Sequence, residues 1–225
     1  MGTATEPRLV PYITLRDTEE MVPGTLVMDL AVPGRPRLSY RDERAGDRDS
    51  QGVLWARYSE TLKDVHGMPA GEPRQRLVHP ARQRESMLGL KCAVCVAPAR
   101  TPLGWIFLAS PNELRSEDDL VLTVQPPVCG EHVRAAAASF PHLEGRPLVY
   151  LSQCAPLHGV YGAVYGADAE HGLHVVDAAH RLLPYGHTQS AVFLAFQLVR
   201  RLTTFQLITV DELMEALTAA AVYAA

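Results

Sequence analysis

Cysteine is scarce in this chain: four in 225 residues are too few to build a fold from disulfides. With no export signal in view, those four are expected reduced, as metal ligands or core residues. No run of about 18 apolar residues occurs, so nothing is expected to span a bilayer. The first residues, Met1 to Arg8, lack a basic region followed by an apolar core, so no signal peptide is expected. Glu6 stands where a myristoylation signal at Gly2 needs serine or threonine. The expected compartment is cytoplasmic. A surplus of either charge is also missing: 21 basic against 25 acidic side chains give a formal −4. That balance offers no general attraction to nucleic acid or to an anionic membrane, and neither is expected as a partner.

What is present is a clamp. Cys92-Ala-Val-Cys95 is followed, after 33 intervening residues, by Cys129-Gly-Glu-His132. Four soft or borderline ligands, paired at two-residue gaps, suit one tetrahedral zinc ion. Trp105–Ala109 and Leu120–Val124 read as strands of a long-tipped hairpin between the pairs. Cys129 and His132 then open a helix running through the four alanines at 135–138. At i and i+3 they share a helical face, and a thiolate gains there from the positive end of the helix. Cys154 and His142 are spare candidates for the fourth ligand.

Upstream, Arg8–Leu15, Gly24–Val32 and Gly52–Tyr58 read as strands, with Trp55 in the core. Between Pro33 and Gly52 the signs of charge alternate, as in a solvated loop of about twenty residues. Residues 66–80 read as a proline- and glycine-rich connector, and Pro80 opens a helix to about Gly89. Residues 1–90 hold 13 basic and 13 acidic groups, so most of the arginines lie there. Arg41, Arg48, Arg57, Arg82 and Arg84 are the candidates to gather around an anionic ligand. Arg82 and Arg84, two apart, point to different sides of their helix.

Downstream, Pro147–Leu151, Gly159–Gly166 and Gly172–Val176 read as strands, the last two as a hairpin. Small residues on one face of 159–166 are expected to admit a helix. Thr188 is expected to cap a helix with apolar residues from Ala191 to Leu202 at three-and-four spacing, and Asp211 a second. His171 and His174 should point to opposite faces of a strand. Cys154 and His158 have no third orienting residue, and no protease zinc motif or dinucleotide fingerprint occurs.

The order knuckle, hairpin, helix over residues 92–140 resembles the treble-clef zinc finger, carried by Cys92, Cys95, Cys129 and His132. That resemblance implies zinc and allows a histidine–metal nuclease. The hairpin offers Asn112, Glu113, Asp118 and Asp119 but no histidine base. More loosely, Asp47-Arg48-Asp49, Trp55-Ala-Arg57 and Arg82-Gln-Arg84 with the clamp look like uncharacterised bacterial proteins of this length.

The expectation is one α+β domain over residues 1–225, with a mixed or antiparallel sheet, a zinc knuckle at 92–140 and two C-terminal helices. Four protein ligands leave no open position, the structural form of zinc site. The functional expectation is a zinc-stabilised binding or accessory protein for a protein or small anionic ligand. The alternative is a metal-containing enzyme acting on a small molecule or nucleic acid. Either C-terminal helix could serve a homo-oligomer.

Overall fold

The computed structural model describes residues 9–22, 26–30, 35–110, 121–140, 143, 147–177 and 180–223. His142 and the acidic stretch with Asn112, Glu113, Asp118 and Asp119 lie outside them. The architecture is α+β: a mostly antiparallel sheet with three helices among the described residues.

The strands in chain order are β1 (Thr14–Arg16), β2 (Leu26–Asp29), β3 (Arg37–Tyr40), β4 (Leu54–Trp55) and β5 (Pro73–Val78), then β6 (Arg100–Thr101), β7 (Gly104–Ala109) and β8 (Val121–Thr123). They continue as β9 (Leu148–Cys154), β10 (Leu157–Asp168), β11 (Gly172–Val175), β12 (Arg181–Pro184) and β13 (Phe193–Ile208). The helices are α1 (Pro80–Leu88), α2 (Val133–Ser139) and α3 (Val210–Tyr223). Antiparallel pairs β1–β5 and β2–β3 stand apart from a nine-stranded sheet. Both pairs contain a segment expected to be irregular: β3 lies in the charged loop and β5 in the connector.

β13 organises the large sheet. The registers Ile208↔Val149, Thr203↔Cys154, Leu157↔Arg200 and Val160↔Leu198 show β9 and β10 running in succession along it. β4 pairs with it in parallel at Leu194 and Ala195, and β8 antiparallel at Arg200 to Leu202. This overturns the helix expected over 191–202. Phe193, Leu194, Ala195, Leu198, Val199 and Leu202 are all nearly inaccessible. A strand buried on both faces carries apolar residues at every spacing, including three and four, so periodicity does not separate it from a buried helix. Thr188–Val192 forms only a short 3-10 turn, capped by His187, whose ring accepts from the Gln189 amide. One C-terminal helix remains, not two.

Two other expectations change. Gly159 and Gly162 admit neighbouring strands, not a helix: an added Cβ would meet the Leu183 carbonyl oxygen at 2.1 Å and that of Leu194 at 2.0 Å. Strands β7 and β8 do not form a hairpin with each other; β7 pairs with β6 and β9.

Helix α1 is held to β13 by polar groups. The Gln83 side-chain amide donates to the Leu198 carbonyl (3.0 Å) and accepts from the Leu198 N–H (2.8 Å). It thereby acts as a ladder partner between the positions paired with β4 and with β8. Arg200 donates to the Met87 and Leu88 carbonyls at the helix end and to that of Ala155, a favourable place for a cation.

Candidate metal centre

The clamp closes. Ligand atoms of Cys92, Cys95, Cys129 and His132 all lie within 4.8 Å of one another. Cys95 Sγ stands 4.0 Å from Cys129 Sγ, and Cys129 Sγ stands 3.1 Å from His132 Nδ1. The four cysteines of the chain are free thiols.

The local backbone explains the convergence. Cys92 donates its N–H to the Ala97 carbonyl (2.7 Å), Val96 returns one to Cys92 (3.0 Å), and the Val94 N–H points at Cys92 Sγ (3.4 Å). This tight turn puts Val96 at φ +62°, an uncommon conformation for a β-branched residue. The second pair sits in the turn entering α2, where the Cys129 carbonyl accepts from the His132 and Val133 amides (3.1 Å each). One bond ties the pairs directly, Ala93 N–H to the Pro127 carbonyl (2.8 Å), and another, Val128 N–H to the Ile106 carbonyl (2.9 Å), ties the second pair to β7. Around them Cys92, Ile106, Val133, Ala136 and Leu213 form one buried cluster, with Leu217 of α3 packed against it.

Burial, and then the neighbouring Cys92, pushes the Cys129 thiol up to about 12; burial raises that of Cys95. Gathering several thiolates in a half-buried site is costly unless a cation joins them, and a coordinated cation reverses that penalty. The donor set fits a metal ion. Cys154 is exposed at the end of β9 and does not belong to the group; His142 lies outside the described residues.

The five arginines do not gather at one place; only Arg57 and Arg84 line a common pocket. Arg82 is buried and forks Glu19 (2.5 and 2.7 Å), donating as well to the carbonyls of Tyr12 and Thr14. Arg48 binds Glu43 (2.8 and 2.9 Å) and the Leu38 carbonyl, and Arg41 is exposed in the turn after β3. Arg57 and Arg84 come together in a pocket of about 940 Å³ between the 42–47 turn, residues 55–58 and α1. Arg57 lies on the Tyr40 ring and is bound by Asp42 and Asp47; those carboxylates hold its proton more firmly still. Arg84 lies over Trp55, 4.7 Å from the ring centroid. Trp55 is core by its 4% exposure, yet one face of it floors this pocket. The alternating charges of 41–49 were legible as a solvated loop, but not that Asp42 and Asp47 reach forward to Arg57.

His171 and His174 do not diverge. Gly172, at φ +63°, turns the chain, so the rings meet at 5.6 Å and both approach Asp168. No described helix is long and apolar enough to cross a membrane. Comparison with family models, curated proteins and solved structures finds no match.

Proposed function

We propose that the chain is a zinc-stabilised binding protein whose charged 41–49 segment and helix α1 form the ligand site. The observation that carries it is the convergence of three thiols and an imidazole within 4.8 Å. Three soft sulfur donors and one nitrogen favour zinc over hard cations. Tetrahedral bonds of about 2.3 Å place zinc-bound sulfurs roughly 3.8 Å apart, close to the 4.0 Å between Cys95 and Cys129. Four protein ligands leave no position for substrate, so the ion contributes folding energy rather than chemistry.

The order of a treble clef supports this reading, with the hairpin supplied by β6–β7 between the knuckle and α2. We take residues 1–225 as one α+β unit, with 92–140 as its metal-binding subregion and β13 reaching both sides. Its expected ligand is a small molecule or protein segment entering the 940 Å³ pocket; the near-neutral charge gives nucleic acid no hold.

The test is elemental analysis of purified protein with chelation followed by circular dichroism. One zinc per chain, and loss of cooperative folding when it is stripped, is the expected result. A metal-free chain that folds as well would refute the structural role. For the pocket, Ala81→Trp should fill the space beside Arg84 and abolish saturable binding of an apolar fluorescent probe. Unchanged binding would place the site elsewhere.

A further inference from the structure

The pocket between the 42–47 turn and α1 holds one charge that the described residues leave without a counter-ion. Its carboxylates are engaged. Asp42 and Asp47 bind Arg57 (2.9 and 2.5 Å), and Asp42 also takes Arg44 (3.0 Å). Glu85 is held by Lys91 (2.7 Å) and the Tyr12 hydroxyl (3.0 Å). Arg84, among the described residues, has no carboxylate partner. Its guanidinium lies on the Trp55 ring and makes one long bond, 3.3 Å, to the Gly46 carbonyl.

A guanidinium carries five N–H donors in a rigid fork that matches an oxyanion. Stacking on indole fixes its plane and limits its loss of freedom on binding. Beside it, Val22, Tyr58, Ala81 and Leu88 present apolar surface, Leu88 being 52% exposed. The charge count limits the ligand further. Three carboxylates line the same pocket, so a second negative charge on the ligand meets repulsion, and among the described residues lining it the other cations, Arg44 and Arg57, are already paired.

We propose that this pocket binds an organic monocarboxylate with an apolar, ring-sized body, the carboxylate forked by Arg84 and the body against Tyr58 and Leu88. This deepens the binding function proposed above and rests on it.

The experiment is isothermal titration calorimetry of the full, metal-loaded chain with 2-naphthoate, neutral 2-naphthamide and dianionic 2-naphthyl phosphate. Naphthoate should bind about tenfold or more tightly than either of the others. Arg84→Gln should remove that advantage, bringing naphthoate down to the affinity of naphthamide for the same variant, and Arg84→Lys should keep part of it. Naphthamide binding as tightly as naphthoate would overturn the carboxylate assignment and leave the pocket as a ligand site. Naphthyl phosphate binding equally well would overturn the single-charge argument. No heat from any of the three would overturn the assignment, while the binding function is decided separately by the probe titration with Ala81→Trp. Should Arg84→Gln fail to fold, the comparison of the three ligands on the unaltered chain and on Arg84→Lys decides the matter.

Discussion

Glu19→Gln should destabilise the protein by several kilocalories per mole at neutral pH and progressively less in acid. The Glu19 side chain is wholly buried and accepts from both Arg82 Nη atoms (2.5 and 2.7 Å), from the Arg16 amide (2.7 Å) and from that of Thr61 (3.2 Å). Burial alone pushes its carboxyl up, but Arg82 and the two amides outweigh burial and hold it at about 2, against an ordinary 4.5. The folded pKa is depressed, so the stabilisation is complete above the unfolded value of 4.5 and is lost as pH falls through about 2. At roughly 1.4 kcal/mol per pH unit, that difference corresponds to about 3 kcal/mol. An independent route gives the same scale: stranding one partner of a buried ion pair costs about 3–5 kcal/mol. The assay is urea unfolding of both chains at a series of pH values from 7 downward. Acid acts on the rest of the chain as well, but it does so in both proteins, so their difference isolates Glu19. A gap below about 1 kcal/mol at pH 7, or one that does not narrow below pH 4.5, would refute the reasoning.

Cys129→Ser should abolish stoichiometric metal, read by elemental analysis, and should lower the thermal transition because Leu217 and Leu213 of α3 pack on the same cluster. Gly162→Ala should cost about 3 kcal/mol or more in urea unfolding, since its Cβ would sit 2.0 Å from the Leu194 carbonyl oxygen and 2.8 Å from Phe193 Cε1. Thr209→Ala should cost about 1 kcal/mol. It removes a capping box in which Thr209 Oγ1 accepts from the Glu212 amide (3.2 Å) and Glu212 accepts from the Thr209 amide (2.7 Å); faster amide exchange in the first turn of α3 checks it.

The convergence of Cys92, Cys95, Cys129 and His132 was legible in the sequence because its signal is residue identity at fixed spacing. Cysteine and histidine carry ligand chemistry wherever they stand, and a gap of two residues needs only a turn. Although the glycines of 159–166 suggest room for a helix and not for neighbouring strands, the strands of 148–175 were legible for a similar local reason, the alternation of their residues. Strand β13 was not. Its residues contact β10, β4, β8 and β9, and burial on both faces erases the alternation that marks a strand. The cap of α3 was read two residues too far along. Asp211 looks like a cap, but Thr209-Val-Asp-Glu212 completes the reciprocal pair of bonds.

Helix α1 shows why the pocket was harder to foresee than the cysteine–histidine cluster. Its inner face buries Arg82, Gln83 and Ser86 together with Met87, so apolar periodicity says little about where it packs. The partners that hold it are distant in the chain: Glu19 for Arg82, Leu198 for Gln83, and Arg200 for the carbonyls at its end. Buried polar contacts of this kind are directional, and leaving one unmade is expensive. They therefore fix the rotation of the helix more narrowly than an apolar stripe would. Gln83 and Arg82 facing inward leave Ala81, Arg84 and Leu88 facing the 42–47 turn. The position of Arg84 over Trp55 thus follows from the polar contacts made by the opposite side of the same helix.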